Sequence, residues 1–337
     1  MVGRPDGPAG APAPHGTMRA LPHHRQRRPI LGTLIELAVA IPQTFPGTPL
    51  DPDRIREFLT RADTLGFHSA WVVEQIVGRI PSLEPVTLLT YAAALTRRLR
   101  LGSAVLLTAL RSPLHLAKSL ATLDLLSGGR LIVGVVLGGN PTIYPALGLA
   151  TERRAARYAA GLRLMKRLWT EPRVTFAGEF FRLDEVAMEP KPLQKPHPPL
   201  WFGGHHPNAL RRAAELGDGF LGAGSISTGP FVEQVKLVRA FLAERGRDPA
   251  SFPIGKRIYI AIDRDRERAG RRLAEWFGAF YGRPELAAQV SVWGDVATCL
   301  EGLAAVVAGG ARLLLLNPVF DEGEHLERFA AELAPKL

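Results

Sequence analysis

The chain has 337 residues, one cysteine, a formal net charge of +10 and a hydrophobic fraction of 46%, which is typical of a globular protein. A single cysteine excludes an internal disulfide, and no apolar run reaches the ~18 residues that a membrane span requires. The length suits one α/β barrel domain. We therefore expect a cytoplasmic protein without a membrane partner.

The positive charge does not predict a nucleic-acid-binding protein. Residues 1–30 are rich in Pro, Gly, Ala and Arg and lack apolar periodicity, so they predict a disordered basic tail before a single domain at 31–337. Elsewhere basic residues mostly stand beside acidic ones, as in "DRDRERAGRRLAE" at 263–275. This pattern is typical of solvated helix faces, and we find no groove-reading motif.

Apolar runs of strand length alternate with helical patterns from residue 33 onward. The predicted strands lie, in chain order, at 34–43, 69–74, 99–108, 130–137, 198–204, 218–223, 254–262 and 311–319. Helices are predicted between them and at the end of the chain, and the first has Asp51 as its N-cap and Gly66 as its stop. The stretch "RVTFAGEFFRLDEV" at 173–186 alternates with period two, which predicts a hairpin inserted after the fourth helix.

Eight strands that are apolar on both faces, each followed by a helix, predict a closed (β/α)8 TIM barrel. The alternative is an open doubly wound sheet, which would favour G-x-G-x-x-G after the first strand, where this chain has "AIPQTFPG". A barrel has its site at the C-terminal ends of its strands. The site candidates are therefore the residues that end the strands, and they include Glu74-Gln75, Gly138-Gly139-Asn140, Gly203-Gly204-His205 and Ala223.

The turn in "WFGGHHPNAL" is the most informative local pattern. Glycines let the backbone approach a ligand, and N–H groups at a helix start favour an anion, so a phosphate site is natural here. A tight turn without a ligand is the alternative. His205 and His206 lack the third ligand that zinc requires, so we expect no metal. We expect His115, on the helix after the third strand, to be a packed or surface residue.

Other reaction classes lack their motifs. The chain has no G-x-S-x-G, no G-x-x-x-x-G-K-[ST] and few acidic residues at the predicted strand ends, where Glu74 stands nearly alone. A site poor in ionisable groups and lined by glycine suits a cofactor that carries out its own chemistry.

Four segments resemble the bacterial luciferase-like monooxygenase superfamily, in particular its F420-dependent and flavin-dependent oxidoreductases. They are "RADTLGFHSAWVVEQ", the stretch 85–135 with "LAKSLATLDLLSGGRL", the stretch 189–220 with "WFGGHHPNALRRAAELGDGF", and "GDVATCLEGLAAVVAGGARLLLL". The likeness covers roughly residues 33 to 333 and is specific at superfamily level. It implies a (β/α)8 barrel, often a homodimer, with a cofactor across its mouth.

The resemblance also implies site residues. The cofactor ring would rest on a bulge at Ala104-Val105, commonly a non-proline cis peptide, and the phosphate end would lie at Gly203 and its neighbours. The full set of implied cofactor contacts is Ala104, Val105, Gly138, Gly139, Asn140, Phe202, Gly203, Gly204, His205 and Ala223. Glu74 and Gln75 would be the catalytic pair.

Two departures from the family pattern bear on mechanism. Many relatives carry an acid–histidine pair where this chain has Glu74-Gln75, and glutamine can hydrogen-bond but cannot take a proton. The fourth strand ends in "GVVLGGNP" rather than a pattern close to "GVGAGWNP", so Gly139 removes a bulky wall.

The sequence thus predicts an oxidoreductase that transfers a hydride between reduced F420 and a small organic substrate. FMN with dioxygen, as in a monooxygenase, is the alternative cofactor chemistry, and a separate reductase would then be a candidate partner. A cofactor-binding protein without catalysis is the second alternative, motivated by the missing histidine.

Overall fold

Parallel strands and their connecting helices account for most of residues 35–47, 49–78, 80–138 and 140–337, which are the residues that this computed structural model describes. The predicted tail at 1–30 lies outside the described residues. The strands are β1 (Glu36–Ala40), β2 (Ser69–Val72), β3 (Arg100–Ser103), β4 (Leu106–Leu107), β5 (Leu131–Val136), β6 (Val174–Ala177), β7 (Arg182–Val186), β8 (Leu200–Phe202), β9 (Gly219–Gly222), β10 (Ile254–Ile262), β11 (Val292–Gly294) and β12 (Leu313–Asn317). The helices are α1 (Pro52–Leu65), α2 (Pro85–Leu95), α3 (Pro113–Leu126), α4 (Arg154–Thr170), α5 (Pro207–Leu216), α6 (Thr228–Ala243), α7 (Arg266–Tyr281), α8 (Leu286–Val290), α9 (Val296–Ala308) and α10 (Glu322–Arg328).

The sheet closes on itself. Parallel pairing runs through β1, β2, β3, β5, β8, β9, β10 and β12, and β4 prolongs the line of β3 by pairing with β5. The circle is complete because β1 pairs with β12 as well as with β2, with Leu37 opposite Leu314. The predicted (β/α)8 TIM barrel is confirmed, and the open doubly wound alternative is wrong because an open sheet has no such closing pair.

Helix α1 illustrates how local sequence sets the limits of an element. The Asp51 side chain accepts a hydrogen bond from the N–H of Asp53, and Gly66 ends the helix in the left-handed conformation with φ 82°. Both limits agree with the prediction. The buried side chains recur at the spacing of one helix face, namely Ile55, Phe58, Leu59 and Ala62.

The predicted hairpin follows α4. Strands β6 and β7 pair antiparallel, and the N–H of Gly178 donates to the Phe181 carbonyl across the turn. The period-two alternation was therefore a sufficient signal for this insertion.

The segment between β10 and α9 differs from the prediction, which had helices throughout. The end of β10, Ile260–Ile262, pairs in parallel with the short strand β11, after α7 and α8. Three residues with tryptophan at their centre are too few for a periodic signal, and their pairing with β10 is a long-range contact.

The barrel interior forms a solid floor below the mouth. Trp71 and Trp201 meet inside the barrel with ring centroids 5.7 Å apart. Gly102 makes room for the Trp71 ring, since a Cβ there would stand 2.3 Å from it. Ala104 and Val105 pack against this interior cluster from above. The floor leaves the C-terminal ends of the strands as the open side of the barrel.

Candidate functional site

A bulge interrupts the third barrel strand between β3 and β4. The Ala104–Val105 peptide is cis, which confirms the geometry implied by the resemblance. Val105 reaches the neighbouring strands: a Cβ on Gly203 would lie 3.3 Å from each Val105 methyl, and one on Gly134 would lie 3.0 Å from the nearer methyl. The structure therefore brings Ala104, Val105 and Gly203 together at the mouth.

In the turn between β8 and α5, the backbone donors without a described acceptor lie before the helix rather than in its first turn. His206 caps α5: its Nδ1 accepts from the N–H of Asn208, and its carbonyl accepts from the N–H groups of Ala209 and Leu210. No described group accepts from the N–H of Gly204 or His205. The helix start is thus satisfied internally, and the donors that remain are in the glycine turn. Gly204 has φ 126°, a conformation that favours glycine.

Glu74 is buried and fully engaged. Its side chain has 0% exposure, accepts a hydrogen bond from the N–H of Leu107 in β4, and forms an ion pair with Arg111. Arg111 also donates to Glu84 over 2.7 Å. Burial acts to lower the pKa of Arg111, but its hydrogen bonds to Glu74 and Glu84 outweigh burial and raise that pKa. In this arrangement Glu74 braces the strand that follows the bulge.

Gln75 is half-buried at the mouth. Its Oε1 is buried and has no hydrogen-bond partner among the described residues. The loop that carries it is held by Gln43, whose Nε2 donates to the carbonyls of Val73 and Leu83 and whose Oε1 accepts from the N–H of Val73. The Gln75 oxygen therefore has an acceptor capacity that no described residue uses.

The end of the fourth barrel strand is only partly described. Gly138 has φ 92°, and Gly139 lies outside the described residues. Asn140 is exposed, and its Oδ1 accepts from the N–H of Thr142 over 3.0 Å and from its hydroxyl over 2.7 Å. The Asn140 oxygen is therefore used to cap the following 3-10 turn.

Ala223, after β9, lies above a buried lysine. The Lys256 ammonium donates to the carbonyls of Ala223 and of Ile226, the latter over 2.7 Å. Burial, with a smaller contribution from the neighbouring charge of Arg257, lowers the pKa of Lys256 to about 7. Lys256 holds the loop between β9 and α6 against the barrel.

An open cleft lies at the other side of the mouth, with about 420 Å³ of empty space when the solvent at its opening is included. It is lined by Ala40, Ile41, Pro42, Gln43, Thr44, Trp71, Val73, Arg257, Trp276, Phe280, Asn317, Pro318, Val319 and Glu322. The predicted site residues do not line it. Arg257, which sequence reasoning missed, donates from Nε to the Asn317 Oδ1 over 2.7 Å. The available signal was the Lys256-Arg257 pair inside an otherwise apolar strand.

The histidines of the described residues do not gather at one site. His205 and His206 are exposed, and so is His115, as predicted for a surface residue. Among the described residues no group of three or more His, Cys, Asp or Glu side chains could hold a metal ion. Within the same part of the chain, no helix has both the length and the apolar character needed to cross a membrane.

Known proteins resemble this chain in sequence and in fold. The family model for luciferase-like monooxygenase matches residues 35–291. The chain is 27% identical over 318 residues to F420-dependent glucose-6-phosphate dehydrogenase of Kineococcus radiotolerans, covering 85% of this chain and 93% of that protein. It is 32% identical over 232 residues to FMNH(2)-dependent dimethylsulfone monooxygenase of Pseudomonas putida, covering 66% and 62%.

Two solved structures extend the comparison. Monooxygenase RslO1 from Streptomyces bottropensis superposes with a TM-score of 0.76 at 25% identity, covering 89% of this chain and 99% of that one. An F420-dependent secondary alcohol dehydrogenase superposes with a TM-score of 0.78 at 19% identity, covering 89% and 98%, which is a likeness of fold.

Proposed function

The chain belongs to the luciferase-like monooxygenase family, whose members are F420- or FMN-dependent oxidoreductases or monooxygenases, and from that premise we propose that it transfers a hydride between reduced F420 and a small organic substrate. FMN is the alternative cofactor. A bound reduced deazaflavin or flavin supplies the hydride, so the protein needs few ionisable groups of its own.

The residues at the mouth fit such a cofactor. The backbone of Ala104 and Val105 would support the ring. The N–H groups of Gly204 and His205, which have no described acceptor, would hold a phosphate. Gln75 adds an oxygen that has no partner among the described residues and that would accept from an N–H donor on a ligand. The single observation that carries the proposal is the close approach of the Val105 bulge to the Gly203 turn, where a Cβ on Gly203 would lie 3.3 Å from each Val105 methyl. This approach joins the two implied parts of the cofactor site.

The side chains around this site would position the backbone that holds the ligand and exclude water, rather than take part in the reaction. Glu74 fixes the Leu107 backbone directly after the bulge, and Gln43 fixes the loop that carries Gln75. Trp71 and Trp201 fill the barrel below, which keeps water out from that side. Gln75 can orient a ligand through its amide, but no proton transfer passes through it.

Side-by-side titration of the purified protein with F420 and with FMN, read by cofactor fluorescence, tests the proposal. We expect saturable binding with higher affinity for F420. The variant Gly203→Val crowds Val105, where even a Cβ would stand 3.3 Å from its methyls, and should weaken cofactor binding at least tenfold. Gly323→Ala is the control, since a Cβ at Gly323 meets open space. If neither cofactor binds, the proposal is wrong.

A monooxygenase that uses FMN and dioxygen is the second candidate, supported by the likeness to the dimethylsulfone monooxygenase and to RslO1. It predicts oxygen consumption by the reduced protein–FMN complex, with a separate reductase as partner. Hydride transfer by F420 without oxygen uptake would favour the first candidate.

A further inference from the structure

Arg257 is a cation in the mouth cleft that has no acidic partner in the described part of the chain. It extends from β10, its Nε is held by Asn317, and no described carboxylate lies within ion-pair distance of it. Glu322 also lines the cleft, but it forms an ion pair with Arg54. Because neither neighbour neutralises it, the guanidinium remains free to pair with an anion from outside.

The surroundings fix this guanidinium in place. Its Cζ lies 4.9 Å from the centroid of the Tyr259 ring, and Tyr259 is itself held by a 2.7 Å hydrogen bond between its hydroxyl and that of Tyr281. Gly224 lets the loop after β9 pack against Arg257, because a Cβ on Gly224 would stand 3.3 Å from the Cγ of Arg257. A guanidinium held at a fixed position presents its N–H donors with little loss of conformational entropy, which favours carboxylate or phosphate.

Aromatic side chains form the rest of the cleft wall. Trp276 and Phe280 from α7 stack with centroids 4.7 Å apart and planes 13° from parallel, and Trp71 lies at the floor. Such a wall suits a flat apolar body, for which stacking adds to burial.

We propose that this cleft binds the substrate of the enzyme as an organic acid with a planar, aromatic body, and that Arg257 binds its carboxylate or phosphate. The inference rests on the proposed function, since it names the substrate class for the same barrel mouth. The N–H groups of Gly204 and His205, in the turn after β8, would serve the cofactor phosphate, whereas Arg257 lies in the cleft. Arg257 is thus a substrate contact.

Binding of matched probes tests this. Benzoate and phenyl phosphate carry the anion, whereas benzamide and benzyl alcohol keep the ring without it. Tryptophan fluorescence reports occupancy because Trp71 and Trp276 line the cleft. We expect the wild-type protein to prefer the acids by about tenfold to a hundredfold, the range for a hydrogen bond to a charged group.

The variants locate the effect. Arg257→Gln should abolish the preference, and Arg257→Lys should keep part of it because a lysine retains the charge but not the planar donors. Arg271→Gln is the control, since it removes the same charge from an exposed position on α7. Equal wild-type affinity for benzoate and benzamide, or an unchanged preference in Arg257→Gln, would overturn the inference.

Cofactor binding in the same samples separates this inference from the proposed function. We expect Arg257→Gln to bind F420 or FMN as the wild type does. The inference is wrong if Arg257→Gln loses the preference for FMN over riboflavin but keeps the preference for benzoate over benzamide. Arg257 would then serve the cofactor phosphate. A wild-type protein that binds neither cofactor contradicts the proposed function, whereas the acid preference is read independently from the probes.

Discussion

Removing Glu74 should weaken the mouth of the barrel through structure rather than through lost proton transfer. The carboxylate has 0% exposure and bonds to the N–H of Leu107 and to Arg111. Glu74→Ala leaves the Leu107 N–H and the Arg111 guanidinium without this carboxylate. Glu74→Gln retains an oxygen for the Leu107 N–H but gives up the charge opposite Arg111.

The structure sets the size of each effect. Breaking a buried ion pair costs about 3–5 kcal/mol. The Arg111 side chain is 25% exposed and keeps its bond to Glu84, so we expect about 2–3 kcal/mol for Glu74→Ala and about 1–2 kcal/mol for Glu74→Gln. Glu84→Gln is the matched control, because it faces the same arginine from a side chain that is 45% exposed and should cost about 0.5 kcal/mol.

Urea unfolding gives the free energies, and cofactor titration gives the affinity of each variant. If Glu74 acts by bracing, Arg111→Met should lower cofactor affinity together with stability, as Glu74→Ala does. The reasoning is refuted if Glu74→Gln abolishes turnover at unchanged stability and cofactor affinity while Arg111→Met still turns over. Glu74 would then take part directly in the reaction.

Three further predictions follow from buried groups. Gly134→Ala puts a Cβ 1.7 Å from a backbone carbonyl oxygen of β3, so it should cost more than about 4 kcal/mol of unfolding free energy or prevent folding. The control Gly323→Ala should be neutral or stabilise the protein by up to about 1 kcal/mol. Soluble yield and the thermal unfolding midpoint measure both effects. Burial lowers the pKa of Lys256 to about 7, while the unfolded side chain stays protonated to about 10.5. The unfolding free energy should therefore rise between pH 7 and 10, by up to about 1.4 kcal/mol per pH unit, and Lys256→Met should remove that rise while the exposed Lys236→Met keeps it. Burial raises the pKa of Cys299 to about 12, so a disulfide reagent at pH 8 should label it only on unfolding, and rapid labelling of the native protein would contradict its burial.

Sequence reasoning succeeded where the signal is local. The cap at Asp51, the stop at Gly66 and the hairpin around Gly178 each depend on residues a few positions apart. Barrel closure depends on contacts between the two ends of the domain, yet eight repeated units predict it because they require one sheet. The cis bulge at Ala104-Val105 came from the resemblance, and periodicity alone gives no sign of it.

The engaged state of Glu74 could not be predicted in this way. Its ionic partner Arg111 is 37 positions away, and Arg257 meets Asn317 across 60 positions. Alternation within β10 indicates which face Arg257 is on, but not whether an acid on another strand faces it. Strand ends identify where a site lies, whereas the pairing of charges there is a property of the assembled barrel.

The two sides of the mouth differ in how far the sequence predicts them. The side with Ala104-Val105 and the Gly203 turn offers backbone groups, whose chemistry depends on chain conformation and on glycine rather than on a particular side chain. Family patterns that consist of glycines describe that side well, and the relatives that share them use F420 or FMN. The cleft with Arg257 is built from side chains on β1, β2, β10, β12 and α7, and their combination has no short sequence signature. The substrate class must therefore be inferred from the assembled cleft, where Arg257 has no acidic partner among the described residues.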